Sequence, residues 1–190
     1  MASGLVLIDK PEGWTSHDVV AKIRRLAGTR KVGHAGTLDP MATGLLILGV
    51  ESATKLLTFI VGDDKTYRTT IRLGAATITD DRESDVIEQA SADQVLAIEP
   101  SQVKAEIQKL TGDIEQVPSS VSAIKVDGKR AYSMVRTGQE VVLKPRPVKV
   151  SKFQLIGEPR IVAVGNQTYL DLDAEIDCSS GTYIRALARD

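Results

Sequence analysis

The sequence predicts an α+β fold, with a mainly antiparallel mixed sheet flanked by helices. Three observations point there. Helix-like and strand-like segments are interspersed along the 190 residues. Lys65 to Leu73 alternates, with Tyr67, Thr69, Ile71 and Leu73 on one face and Arg68, Thr70 and Arg72 on the other, as in a half-buried strand. Turn signals such as Val126-Asp127-Gly128-Lys129 join extended segments directly. Several strands are therefore connected by hairpins rather than crossover helices, which disfavours a doubly wound parallel sheet.

The elements can be justified in order. Leu5 to Asp9 is a short apolar strand, and Lys10-Pro11-Glu12-Gly13 is a turn. Thr15 or Ser16 caps a helix whose Val19, Val20, Ile23 and Leu26 form an apolar stripe. Arg24, Arg25, Arg30 and Lys31 lead into Gly33–Pro40, expected as a loop. The continuous apolar run Leu45 to Val50 is expected as a buried strand, and Ser52 to Ile60 as a short helix. Ala75 to Ala97 is acidic and weakly periodic, so a long loop with at most a short helix is expected. Pro100 to Leu110 is a helix with Val103, Ile107 and Leu110 on one side and Gly112 as its stop. A helix is expected over Arg130 to Thr137, then an extended link from Lys144, then strands near Val148–Ile156, Ile161–Val164 and Thr168–Ile176. A last helix opens near Thr182 and meets the end of the sequence, Asp190, after one or two turns. So short a helix is a poor terminus for a folded chain, and a C-terminal truncation is expected.

Composition narrows the function. The chain is 42% apolar and 26% charged, ordinary for a globular protein. No stretch approaches the apolar length of a membrane span, and the N-terminus lacks the features of a secretion signal. The single cysteine, Cys178, excludes an intrachain disulfide and fits a reducing cytoplasm. One Cys and two His leave little for a zinc site. Net charge is only −1, but its distribution is uneven. Asp80 to Glu115 holds ten acids and three bases, a stretch expected to face solvent. Ser120 to Arg160 holds nine bases and three acids, which suits equally a surface for a polyanion and a solvated basic face.

The segment Gly33-His34-Ala35-Gly36-Thr37-Leu38-Asp39-Pro40 carries the chemistry. Glycine tolerates positive φ, and Pro40 pushes Asp39 out of helical geometry, so the segment can mount one carboxylate in an unusual backbone setting. On its own, an Asp-Pro of this kind reads as a tight turn. Other motifs are incomplete. Ser122-Ala-Ile-Lys125 lacks the Ser-Asp-Asn and Lys-Thr-Gly partners of penicillin-recognising hydrolases. Gly33 to Gly44 lacks the Gly-Lys-Ser/Thr of a P-loop. Asp39 has no second acid two residues on, unlike Mg²⁺-dependent aspartyl-phosphate enzymes.

Five separated segments, taken in order and spacing, give more. They are Lys10-Pro-x-Gly-x-Thr-Ser, Gly33-His-Ala-Gly-Thr-Leu-Asp-Pro-x-Ala-x-Gly44, Lys65-Thr-Tyr67, Ser122-Ala-Ile-Lys-x-x-Gly-x-Arg-Ala-Tyr132 and Cys178-Ser-Ser-Gly-Thr-Tyr-Ile-Arg185. Together they resemble the bacterial TruB-type tRNA pseudouridine synthases from Leu5 to Asp190. One departure is Pro118-Ser-Ser-Val, where the family often has Pro-Pro-x-Tyr.

The resemblance implies the pseudouridine synthase fold, here incomplete at the C-terminus, with residues 1–190 as a truncated catalytic domain and no C-terminal RNA-binding domain. It implies isomerisation of a uridine in the T loop of tRNA, position 55, to pseudouridine by base flipping, in a monomeric cytoplasmic enzyme that needs no cofactor or metal. Asp39 then matches the nucleophile, and Arg185 the bidentate partner that keeps it ionised. Tyr67 matches the aromatic that stacks on the target base and can move its C5 proton, and Tyr183 a second base-pocket residue. His34 matches the histidine that takes the space of the flipped base. Lys10 and Lys125 support the site or touch phosphate. A chain lacking the rest of the domain is expected to be impaired in turnover. A non-catalytic module that binds and folds tRNA is the alternative, since the basic block and base-flipping residues suit both roles.

Overall fold

The structure, a computed structural model, describes residues 3–121, 125–126, 129–130 and 143–190. Contacts divide the chain into two compact units, Met1–Asp63 and Asp64–Asp190.

The first unit is built on the apolar run after Pro40. Strands β1 (Gly4–Lys10), β2 (Val32–Ala35) and β3 (Gly44–Val50) form an antiparallel sheet in the order β1-β3-β2. Helix α1 (Ser16–Ala27) lies between β1 and β2 in sequence and buries Val19 and Val20 with Val32, Leu46, Leu48 and Val50. Thr15 is its N-cap: the Thr15 side chain accepts from the Asp18 amide while the Asp18 carboxylate accepts from the Thr15 amide. A 3₁₀ turn (Glu51–Leu56) and α2 (Leu57–Ile60) follow. The turn lies so close to β3 that a Cβ on Gly49 would stand 2.7 Å from the Ala53 carbonyl oxygen, so glycine is required there.

The second unit contains β4 (Lys65–Leu73), β5 (Ala75–Thr77), β6 (Val86–Gln89), α3 (Ala92–Leu96), α4 (Pro100–Lys109) and β7 (Gly112–Gln116). After the short pair β8 (Lys125–Val126) and β9 (Lys129–Arg130) come β10 (Arg146–Leu155), β11 (Arg160–Val164), β12 (Gln167–Cys178) and α5 (Ile184–Arg189). β12 is the centre of a five-stranded antiparallel sheet: β11 and β10 pair along one edge, β4 along the other, and β7 extends the sheet beyond β10. Its alternation sends Leu170, Leu172, Ala174, Ile176 and Cys178 into the core with Ile71, Val150, Phe153 and Leu187. Burial of each large aliphatic contributes roughly 1.5–3 kcal/mol. The opposite face carries a ladder of charges. Arg72 makes a two-pronged pair with Asp171, Arg160 pairs with Asp173, and both Arg68 and Lys152 pair with Glu175.

The fold class is α+β, as the sequence implies, with four local departures. β2 occupies the first half of the expected loop, because Val32–Ala35 pairs with β3 along one edge only and is too short to show a period. Ala75–Ala97 is the antiparallel pair β5–β6 followed by α3, and β6 is exposed at every residue, so no burial rhythm marks it. β7 begins at the glycine expected to end a helix, hidden by its acids Asp113 and Glu115. Arg130 belongs to β9 rather than to a helix, and residues 131–137 of that expected helix lie outside the described residues.

Candidate active site

The described site residues form two groups, one in each unit. In the first, His34 sits on β2 and Asp39 in the turn before β3, both half-buried. Gly36, at φ +97°, reverses the chain between them. Its carbonyl meets Nδ1 of His34, which makes that nitrogen the protonated one. The His34 ring stands edge-on to His17, with centroids 5.7 Å apart and planes at 76°.

Asp39 is bracketed by residues that are themselves tied down. Ser16, 2% exposed, accepts from the Leu38 amide at 3.0 Å and donates to the Leu38 carbonyl at 3.2 Å. On the other side, the Pro40 carbonyl accepts from the Gly13 amide at 2.9 Å and from Lys10 Nζ at 3.1 Å. The Lys10 ammonium also donates to the carbonyls of Trp14 at 2.6 Å and Pro11 at 3.0 Å, with no exposed surface. Charge-assisted bonds of this kind are about twice as strong as neutral ones. The Lys10 ammonium is thus enclosed among the carbonyls of Pro11, Trp14 and Pro40. The Lys10-Pro-x-Gly-x-Thr-Ser segment is thus a clamp on the peptides either side of Asp39.

In the second unit, Tyr67 lies half-buried on the core-facing side of β4, paired in register with Ile176. Helix α5 lies against β4 and carries Arg185. Tyr183 is the residue before α5, and its peptide is gripped from both sides by Gln116. The Tyr183 amide donates to Gln116 Oε1 at 2.8 Å, and Gln116 Nε2 donates to the Tyr183 carbonyl at 3.0 Å. The Arg185 side chain is only 13% exposed. It donates to the carbonyls of Thr79 at 2.6 Å and Val121 at 3.2 Å, and lies 3.6 Å from the Asp81 carboxylate, itself 6% exposed. Arg189 reaches Asp80 at 3.2 Å. Asp80 and Asp81 therefore depart from the solvent-facing role expected of the acidic stretch, because two arginines of α5 draw them inward. Lys125 is on β8, and its side chain lies outside the described residues.

Residues 24–184 match the family model described as TruB family pseudouridylate synthase (N terminal domain). The chain belongs to this family. Among curated relatives it is 63% identical over 190 residues to "tRNA pseudouridine synthase B" of Leifsonia xyli subsp. xyli, covering all of this chain and 61% of that protein. The protein of the same name from Arthrobacter sp. (strain FB24) is 59% identical over 192 residues, again with all of this chain and 60% of the relative covered. The chain thus spans about three fifths of the length of such relatives. A solved structure titled "Crystal Structure of a Cbf5-Nop10-Gar1 Complex" shares the fold at TM-score 0.63 and 24% identity, covering 97% of this chain and 42% of that one.

Within the TruB family fold, the residues that position the site are the ones single-sequence reasoning passes over. Ser16 reads as a cap alternative to Thr15, Gln116 falls in a stretch with no expected element, and Asp81 reads as one more surface acid. The one available signal is at Thr15-Ser16: two adjacent hydroxyl residues where a helix needs one cap. Among the described residues no helix is long and apolar enough to cross a membrane.

Proposed function

We propose that this chain carries the catalytic residues for isomerising a uridine in the T loop of tRNA, position 55, to pseudouridine, and that it works as a monomer in the cytoplasm. The observation that carries the reading is the clamped Asp39 loop in a chain of the TruB family: a single half-buried carboxylate whose neighbouring peptides are fixed by Ser16, Gly13 and Lys10. The chemistry asks for that arrangement. The C1′–N1 bond of the nucleotide breaks, a C1′–C5 bond forms, the C5 hydrogen leaves as a proton, and N1 regains one. The product is an isomer, and no oxidant, reductant or group donor enters.

Asp39 acts as the nucleophile, and Arg185 is the partner that the family motif assigns to it. Tyr67 stacks on the flipped uracil and moves the C5 proton, and Tyr183 lines the base pocket. Base-on-aromatic stacking contributes roughly 1–3 kcal/mol toward extruding the nucleotide. His34 occupies the space the base vacates, a role that needs ring shape rather than proton transfer. Lys125 contacts the RNA backbone, and Lys10 supports the loop.

The test is tritium release from an unmodified tRNA transcript labelled at uridine C5. Release by the wild-type chain that disappears in Asp39→Asn, with tRNA binding retained, is the expected outcome. Undiminished release by Asp39→Asn refutes the assignment. Binding without release by the wild-type chain, and equally by the chain extended to the full length of its relatives, favours the tRNA-folding alternative.

A further inference from the structure

Outside the catalytic loop, the first unit has a cleft of about 360 Å³ lined by Gly13, Trp14, Asp18, Ala21, Lys22 and Arg25. Its volume is at the small end of ligand clefts. Trp14, the only tryptophan of the chain, forms one wall and is 38% exposed. With over a third of its surface open to water beside charged groups, the indole offers a flat apolar face with a polar edge to a partner. Lys22 and Arg25 line the same cleft one turn apart on α1. Neither makes an ion pair with a described residue, and both are exposed. Among the described lining residues Asp18 is the one acid, and its carboxylate is committed to the helix start. It accepts from the Thr15 amide at 2.8 Å and the Thr15 hydroxyl at 2.6 Å, which hold its pKa below the ordinary value.

An exposed aromatic flanked by two uncompensated cations has the composition of a single-nucleotide subsite. The ring offers a stacking platform to any base, and the cations meet the flanking phosphates. The wall is also wired to the catalytic loop. The Trp14 and Pro40 carbonyls share the Lys10 ammonium, and the Gly13 amide donates to Pro40. A base resting on Trp14 therefore bears on a peptide one residue from Asp39.

We propose that this cleft is a second RNA-contact site: Trp14 stacks on a nucleobase of the RNA substrate, away from the target uridine, while Lys22 and Arg25 neutralise adjacent phosphates. The inference rests on the substrate reading above.

The sole tryptophan makes it directly testable. Titration of the 190-residue chain with an unmodified tRNA transcript is expected to quench Trp14 emission saturably. Trp14→Ala should weaken binding about tenfold, and Trp14→Phe less, since a phenyl ring still stacks. Lys22→Gln with Arg25→Gln should lower the slope of log affinity against log salt by roughly 1.5 to 2. Thermal melts of the Lys22 and Arg25 variants should match the wild type, because these side chains are exposed, and Trp14→Phe, which keeps a packed ring, controls for lost packing in Trp14→Ala. Retention of tRNA on filters with unchanged Trp14 emission and wild-type affinity in all variants overturns the proposal, as would be found if the cleft docked a protein instead. Asp39→Asn separates the two readings. It should bind and quench like wild type without turnover, whereas turnover in Asp39→Asn removes the catalytic assignment and leaves the cleft result standing.

Discussion

At the scale of residues, Lys10 changes meaning most between sequence and structure. In a sequence, a lysine before a Pro-x-Gly turn is a candidate phosphate contact. Here it is buried, and its ammonium gathers three carbonyls around the loop that carries Asp39. Lys10→Met removes the donor while keeping much of the side-chain bulk, and strands those carbonyls. It is expected to lower stability by about 2–3 kcal/mol, read by urea denaturation, and to reduce turnover as the loop loosens. Ser16→Ala is expected to cost about 1–3 kcal/mol, since the Leu38 amide and carbonyl both lose their partner. A stability indistinguishable from wild type would show that the loop does not depend on Ser16. Asp39, His34 and Arg185 are legible in the sequence because they sit in a dense motif. Ser16 beside the Asp39 loop, Asp81 beside Arg185 and Gln116 at the Tyr183 backbone are not, because each contact is distant in sequence.

At the scale of elements, β12 joins the second unit's core to its charged face. Arg160 and Thr70 hold the Asp173 carboxyl down at about 2, against an ordinary 3.8. Lys152 and Arg68 hold Glu175 below the usual carboxylate range. With both native values depressed, the unfolded chain binds protons at a higher pH than the folded one. The ladder's contribution is therefore complete above the ordinary carboxylate range and is lost as pH falls toward about 2. The melting temperature is expected to drop more steeply between pH 4 and pH 2 in the wild type than in Asp173→Asn, followed by circular dichroism (roughly the window between the two carboxyl values). The other element-scale constraint is steric. Gly49→Ala would place a methyl 2.7 Å from the Ala53 carbonyl, so β3 and the 3₁₀ turn must separate. Overpacking of this kind costs about 1–3 kcal/mol, measurable in the same denaturation assay. The strands that escape sequence reading fail for identifiable reasons: β2 is short and paired on one edge, and β6 is exposed on both faces.

At the scale of the whole molecule, charge is sorted by what it touches. Of the described bases in the stretch from Ser120 to Arg160, Lys152 and Arg160 are spent on the β12 ladder, while Lys144, Arg146 and Lys149 are exposed and pair with no described acid. Of these five bases, the latter three are the ones left for a polyanion. Replacing these three with Gln is expected to weaken tRNA binding and to lower its salt slope by about 2 to 3, in filter-binding titrations from low to physiological salt. An unchanged slope would place the RNA elsewhere. What the sequence by itself determined was the α+β class, the family and the candidates for the chemical groups, because alternation, turn chemistry and dense motifs are local properties of the chain. What only the tertiary structure decided was which lysine is buried, which acids serve the arginines of α5 and which hydroxyl fixes the Asp39 loop. Those outcomes depend on hydrogen bonds and ion pairs between residues far apart in the chain, and no local pattern encodes a partner that distant.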